Sequence, residues 1–105
     1  MIMYMCCMYD VVAKQFSSQF VPQINKEDAE RSIKMALTSS VGAQAMKFRD
    51  IDFYHVGNFD TETGIFEAVK PSVIIKGASV ITDEQIAKVH PFERSYENVK
   101  ESNPS

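Results

Sequence analysis

The sequence predicts a small α+β domain, an antiparallel sheet of two hairpins in ββαββ order packed on one main helix. Three observations predict it. Two pairs of apolar or aromatic runs have strand length, each pair is split by turn residues, and one stretch between the pairs repeats with the helical period. A length of 105 residues fits one domain, and a hydrophobic fraction of 45% closes one modest core without room for a deep substrate pocket. The domain is expected over 1–90, with a flexible polar tail over 91–105.

The run Ile2–Tyr9 (IMYMCCMY) is almost continuously apolar, as a buried strand is. Asp10 ends it, and 10–14 carries a turn. In Gln15–Val21 (QFSSQFV) the period of two puts Phe16, Ser18 and Phe20 on one face. Pro22 cannot donate to a ladder and is expected to stop the pairing.

Asn25 is a good N-cap, and Glu27, Asp28 and Glu30 place negative charge in the first turns of a helix, where its dipole favours it. Ala29, Ile33, Ala36 and Leu37 share one face. Glu27–Arg31 and Glu30–Lys34 are acid-then-base pairs four apart. Ser39, Ser40 and Gly42 end this helix, and no element is assigned to 42–49.

Asp52–Phe59 (DFYHVGNF) alternates, with Phe53, His55, Gly57 and Phe59 on one side and Tyr54, Val56 and Asn58 on the other. Asp60-Thr61-Glu62-Thr63-Gly64 then supplies a turn opener and a residue suited to the left-handed conformation, and Ile65–Val69 returns as the second strand. Val73–Ile75 and Ser79–Ile81 are further apolar runs. Thr82-Asp83-Glu84-Gln85 is a capping-box pattern for a short helix ending before His90-Pro91.

Residues 1–49 sum to +2 and residues 50–105 to −5, giving the net −3. Cys6 and Cys7 are adjacent, which disfavours bonding to each other, and no other cysteine exists. They read as small apolar residues in a reducing compartment. No run has the length of a membrane span, and the N-terminal stretch lacks the features of a secretion signal. The expected setting is cytosolic, with no membrane partner.

Enzyme chemistry has no positive sign. His55 and His90 have no partners at zinc-binding spacing, and phosphate-binding and nucleophile-elbow motifs are missing. Asp50 and Asp52 would face one side of a strand and could hold Mg²⁺ in a nuclease, although a charged strand edge explains them better. The expectation is a non-enzymatic protein without cofactors. Single-strand nucleic-acid binders combine cations with aromatic platforms. Here the candidates are Lys14, Arg31, Lys34, Lys47 and Arg49 for phosphate, with Phe16 and Tyr54 for bases. Half the strand aromatics must face the core, and the acidic total opposes phosphate binding.

Tyr9-Asp10, Ala13-Lys14-Gln15-Phe16 and Phe20-Val21-Pro22, then Glu30-Arg31 and Ser32-Ile33, above all Asp52-Phe53-Tyr54-His55-Val56-Gly57-Asn58-Phe59-Asp60-Thr61-Glu62-Thr63-Gly64, and then Pro71 carry a resemblance. Over 8–81 the chain resembles the small nonstructural protein of gokushoviruses, single-stranded DNA phages of the Microviridae. The resemblance implies an accessory protein in the host cytoplasm, outside the mature virion, linked to single-stranded DNA synthesis and genome packaging. It supplies no catalytic residue.

Two functions follow as expectations. One is weak single-stranded DNA binding through the seven residues just named. The other is a protein–protein adaptor, with a homo-oligomer as one form, that docks on phage or host replication or procapsid proteins. Its expected surface is an unpaired strand edge such as Ile2–Tyr9 or Val73–Ile81.

Overall fold

The structure, a computed structural model, describes residues 1–88. The expected tail and His90 lie outside them. Four strands and three helices follow the order β1 (Ile2–Asp10), β2 (Gln15–Gln23), α1 (Lys26–Ser39), α2 (Gly42–Arg49), β3 (Ile51–Asp60), β4 (Phe66–Lys76), a single 3₁₀ turn (Gly77–Ser79) and α3 (Asp83–Ala87). The α+β class holds, with α2 as an element the sequence reading left unassigned. The strands form one antiparallel sheet in the order β2-β1-β3-β4.

The apolar run Ile2–Asp10 is therefore a central strand, paired on one side with β2 and on the other with β3. It offers no free edge, which corrects the expectation that Ile2–Tyr9 could dock a partner. The outer strands are β2 and β4. Each contains a proline, and each runs past it. Pro22 pairs opposite Met5, and β4 passes through Pro71 with a register irregularity beside it. An outer strand tolerates proline because an N–H on its outward side has no ladder partner to lose.

The helices cover one face. Ala29, Ile33 and Leu37 of α1 meet Cys6 of β1, Ala45 of α2 and Ile81, with Tyr4, Phe48, Phe53 and Ile86 packed around them. Leu37 and Ala29 are fully buried, whereas the fourth expected face residue, Ala36, is exposed. Asn25 accepts from the Asp28 N–H at 2.8 Å as the N-cap of α1. Arg31 pairs with Asp28, three residues away, in place of the expected Glu27. At the other end, the Thr82–Gln85 capping box forms as read. Gln85 also donates to the carbonyls of Leu37 at 2.9 Å and Ser40 at 3.0 Å, so one amide side chain closes α3 and satisfies the C-terminus of α1.

The strict alternation expected along β3 breaks. The β1–β3 register shifts between Met5 and Cys6, where Val56 is the extra residue. A bulge of this kind reverses the parity beyond it. Phe53 and His55 therefore face the helices, opposite Met8 and Cys6, while Gly57 and Phe59 join Tyr54 on the other side.

Candidate nucleic-acid interface

The face turned away from the helices is aromatic. Tyr9 (β1), Phe16 (β2) and Tyr54 (β3) form a three-ring cluster, with centroids 4.8 Å apart for Tyr9–Phe16, 5.9 Å for Tyr9–Tyr54 and 5.3 Å for Phe16–Tyr54. The register explains the meeting, since Tyr9 pairs with Phe16 on one side and Cys7 with Tyr54 on the other. Farther along, Phe20 of β2 and Phe66 of β4 come to 5.8 Å across the two central strands. Gly57 permits this, because a Cβ there would collide with the Phe66 ring. Phe16, Phe20 and Phe66 stay 40%, 51% and 41% exposed, so part of each side chain is open to solvent.

Beneath them lies Cys7, buried, its thiol donating to the Ser17 carbonyl at 3.0 Å. Cys6, one residue on, points into the core under the helices. Burial pushes the Cys6 thiol up to about 11, with the neighbouring Cys7 adding to the effect. Burial raises Cys7 too, against hydrogen bonds to backbone that lower it. Both are free thiols, protonated at neutral pH. Neither should react with an aromatic disulfide reagent in the native protein at pH 7.5, and both should react at once in denaturant, as thiol titration by absorbance would show.

The cations divide between two places. Lys14 stands in the β1–β2 turn with a left-handed backbone, φ 57°. Lys47 lines a shallow depression with Gln15 and Phe16. Arg49 ends α2, and the next residue, Asp50, accepts from the Val11 N–H at 2.9 Å, which joins that helix end to the β1–β2 turn. These three residues thus gather at the end of the sheet that carries the Tyr9–Phe16–Tyr54 cluster. Arg31 and Lys34 are elsewhere, exposed on α1 beside β4 in the helical layer. Of the seven residues singled out, Phe16 and Tyr54 lie on the open face, Lys14, Lys47 and Arg49 gather at the adjoining end of the sheet, and Arg31 and Lys34 stand farther off on α1 beside β4. Tyr9 and Phe66 belong to the aromatic face as well. The odd-numbered positions of the apolar run signalled Tyr9, but nothing in the sequence revealed the β3 bulge that aligns Phe59 and Phe66.

Asp50 and Asp52 do not share a strand face, because Asp50 caps α2 while Asp52 lies in β3 opposite Tyr9 and Lys76. His55 stacks on Tyr4 at 3.7 Å, and its Nε2 donates to the Asn58 Oδ1 at 3.0 Å. Among the described residues no three His, Cys, Asp or Glu side chains converge as metal ligands, and no helix is long and apolar enough to cross a membrane.

A family model described as Phage ORF5 protein matches residues 3–80, which takes in all four strands and both longer helices. The chain belongs to the phage ORF5 protein family. The match covers the whole aromatic face and stops before α3, so the sheet and its helical cover are the part this ORF5 chain shares with the family. Searches of curated proteins and of solved structures returned no match.

Proposed function

We propose that this phage ORF5 family protein is a non-enzymatic accessory factor that binds single-stranded DNA weakly through the open face of its sheet. The observation that carries the reading is the Tyr9–Phe16–Tyr54 cluster, three rings on a face that no described element covers. Bases stack on such rings without regard to sequence. Lys14, Lys47 and Arg49 at the adjoining end meet phosphate, and the net charge of −3 keeps the binding weak and salt-sensitive. The resemblance to the gokushovirus nonstructural protein supports a role in single-stranded DNA synthesis and packaging in the host cytoplasm, outside the finished virion.

Fluorescence anisotropy with labelled oligonucleotides across a salt series tests this. Phe16→Ala and Tyr54→Ala should each weaken binding by about 1–3 kcal/mol, roughly 5- to 150-fold. Lys14→Glu with Lys47→Glu should flatten the salt dependence. Arg31→Glu with Lys34→Glu, across the sheet, should change affinity far less. Wild-type protein that binds no DNA, or open-face variants that bind as tightly as wild type, would refute the reading.

An adaptor role has one observation in its favour, the same exposed apolar face. The prolines on both outer strands oppose docking by strand addition, so a protein partner would take the face and not an edge. Light scattering showing a stable dimer that Phe20→Asp dissolves, together with absent DNA binding, would favour it.

A further inference from the structure

The Tyr9–Phe16–Tyr54 cluster does not exhaust the open face. Farther along it Phe20 and Phe66 meet at 5.8 Å, and neither is among the DNA-contacting candidates that the sequence offers. They stand on the two outer strands, with β1 and β3 between them. Phe66 reaches inward because Gly57 leaves room for its ring, which any Cβ at that position would strike. Both residues remain about half exposed, Phe20 at 51% and Phe66 at 41%. Two such rings, held in contact from opposite rims of a sheet, form a patch of the kind that marks a binding surface.

The pair lies within reach of a strand that starts on the cluster. Tyr9 and Phe16 are level with one another, Tyr54 is level with Cys7, and Gly57 is level with Met5. Two to four residues of β1 therefore separate the two sets of rings, about 7–13 Å at the rise of a strand. A stacked nucleic-acid strand advances about 3.4 Å per nucleotide, so roughly two to four steps span that distance.

The two ends of this path differ in charge. Lys14, Lys47 and Arg49 adjoin the cluster. The pair adjoins the β3–β4 turn, since Phe66 opens β4 and pairs with Phe59. There Asp60, Glu62 and Glu67 outnumber the terminal ammonium of Met1, which lies 4.0 Å from Asp60 and 3.7 Å from Glu62. Phosphate is drawn to the first end and repelled at the second, so a bound strand has a place to begin and a place to stop.

We propose that Phe20 and Phe66 form a second base-stacking subsite, and that the open face holds about four unpaired nucleotides of one DNA strand between the two sets of rings. The inference rests on the DNA-binding reading above and adds the length and placement of the ligand. The strand enters over Lys14, Lys47 and Arg49, stacks first on Tyr9, Phe16 and Tyr54, and ends on Phe20 and Phe66. Its bases must be clear of a complementary strand to reach both sets of rings, so a short gap or loop suffices and a duplex does not fit.

Titration of the ¹⁵N-labelled full chain with thymidine oligonucleotides, followed by NMR, tests this. A dinucleotide should shift the amide signals of Tyr9, Phe16 and Tyr54, and a tetranucleotide should add those of Phe20, Gly57 and Phe66. Affinity should rise roughly tenfold from the dinucleotide to the tetranucleotide, the gain of one more stacked base, and far less from the tetranucleotide to the octanucleotide. Phe66→Leu keeps an apolar side chain over Gly57 but removes the stacking ring. It should erase most of the tenfold gain and leave dinucleotide affinity unchanged. Phe20→Leu on the other outer strand should do the same, and serves if Phe66→Leu does not fold. Shifts confined to the first cluster at every length, or leucine variants that gain as much as wild type, would overturn this inference alone. No binding at any length would overturn the DNA-binding reading and this inference with it.

Discussion

Gly77→Ala should lower stability by about 3 kcal/mol, near the upper end of ordinary overpacking costs and a large share of what a domain this size has. Gly77 is buried where β4 gives way to the 3₁₀ turn. A Cβ there would collide with the carbonyl oxygens of Phe48 and Ile51, which belong to the end of α2 and the start of β3. Both obstacles are backbone, so no rotamer change relieves them. Relief requires moving the α2–β3 junction away from the turn. For a domain of this length the melting temperature should fall by roughly 10–20 °C, read by calorimetry or circular dichroism. Gly64 is the useful contrast. It has φ 75° in the β3–β4 turn and nothing within 4 Å of a Cβ. Its alanine variant meets only left-handed strain, about 1–2 kcal/mol. Equal losses from the two variants would show that the packing around Gly77 is wrong.

Leu37→Ala should cost about 2–5 kcal/mol, the range for deleting a buried leucine from a close-packed site. Leu37 is fully enclosed, with Cys6, Ile33, Ala45 and Ile81 in the same cluster. Three layers of the structure meet there: the sheet, both longer helices and the segment leading to α3. Its carbonyl also accepts from the Ser40 hydroxyl at 2.7 Å and from Gln85 at 2.9 Å. Those bonds survive the substitution, so the loss reports the side chain alone. Urea denaturation should show a lower midpoint with an unchanged slope. A loss below about 1 kcal/mol would mean the site collapses around the smaller residue, against the cavity cost that close packing implies.

Much of the architecture is readable in local residue chemistry. The Asn25 cap and the acid-rich first turn mark α1, which starts at Lys26 as expected. Asp60 and Gly64 mark the second hairpin, where the Gly64 N–H donates to the Asp60 carbonyl at 2.8 Å. What escaped the sequence is mostly set by distant neighbours. Helix α2 has no capping side chain at Val41, and it follows Ser39, Ser40 and Gly42, which read as terminators. Ala45 and Phe48 hold it through the core and not through its own pattern. Pro22 reads as a strand end only if β2 is flanked on both sides, and strand order is not a local property. The aromatic surface was half legible. Phe16 and Phe20 followed from a period of two, whereas the bulge at Val56 moved Gly57 and Phe59 to the opposite side from the one alternation gave them. Nearness in sequence to the aromatics does not place a cation beside them in space, and the sheet's thickness separates Arg31 and Lys34 from the rings.

The central placement of the first strand bears on how the molecule is made. The β1–β2 hairpin can close while the chain is still short, yet its inner strand pairs along its whole length with residues that follow much later, as Ile2 does with Asp60. Until the ribosome has released that distant stretch, one rim of a nearly all-apolar strand stays bare, with Cys6 and Cys7 uncovered. Nascent chains crowded on one phage message would then be open to mispairing with each other, a hazard that ends when the second hairpin seals the gap.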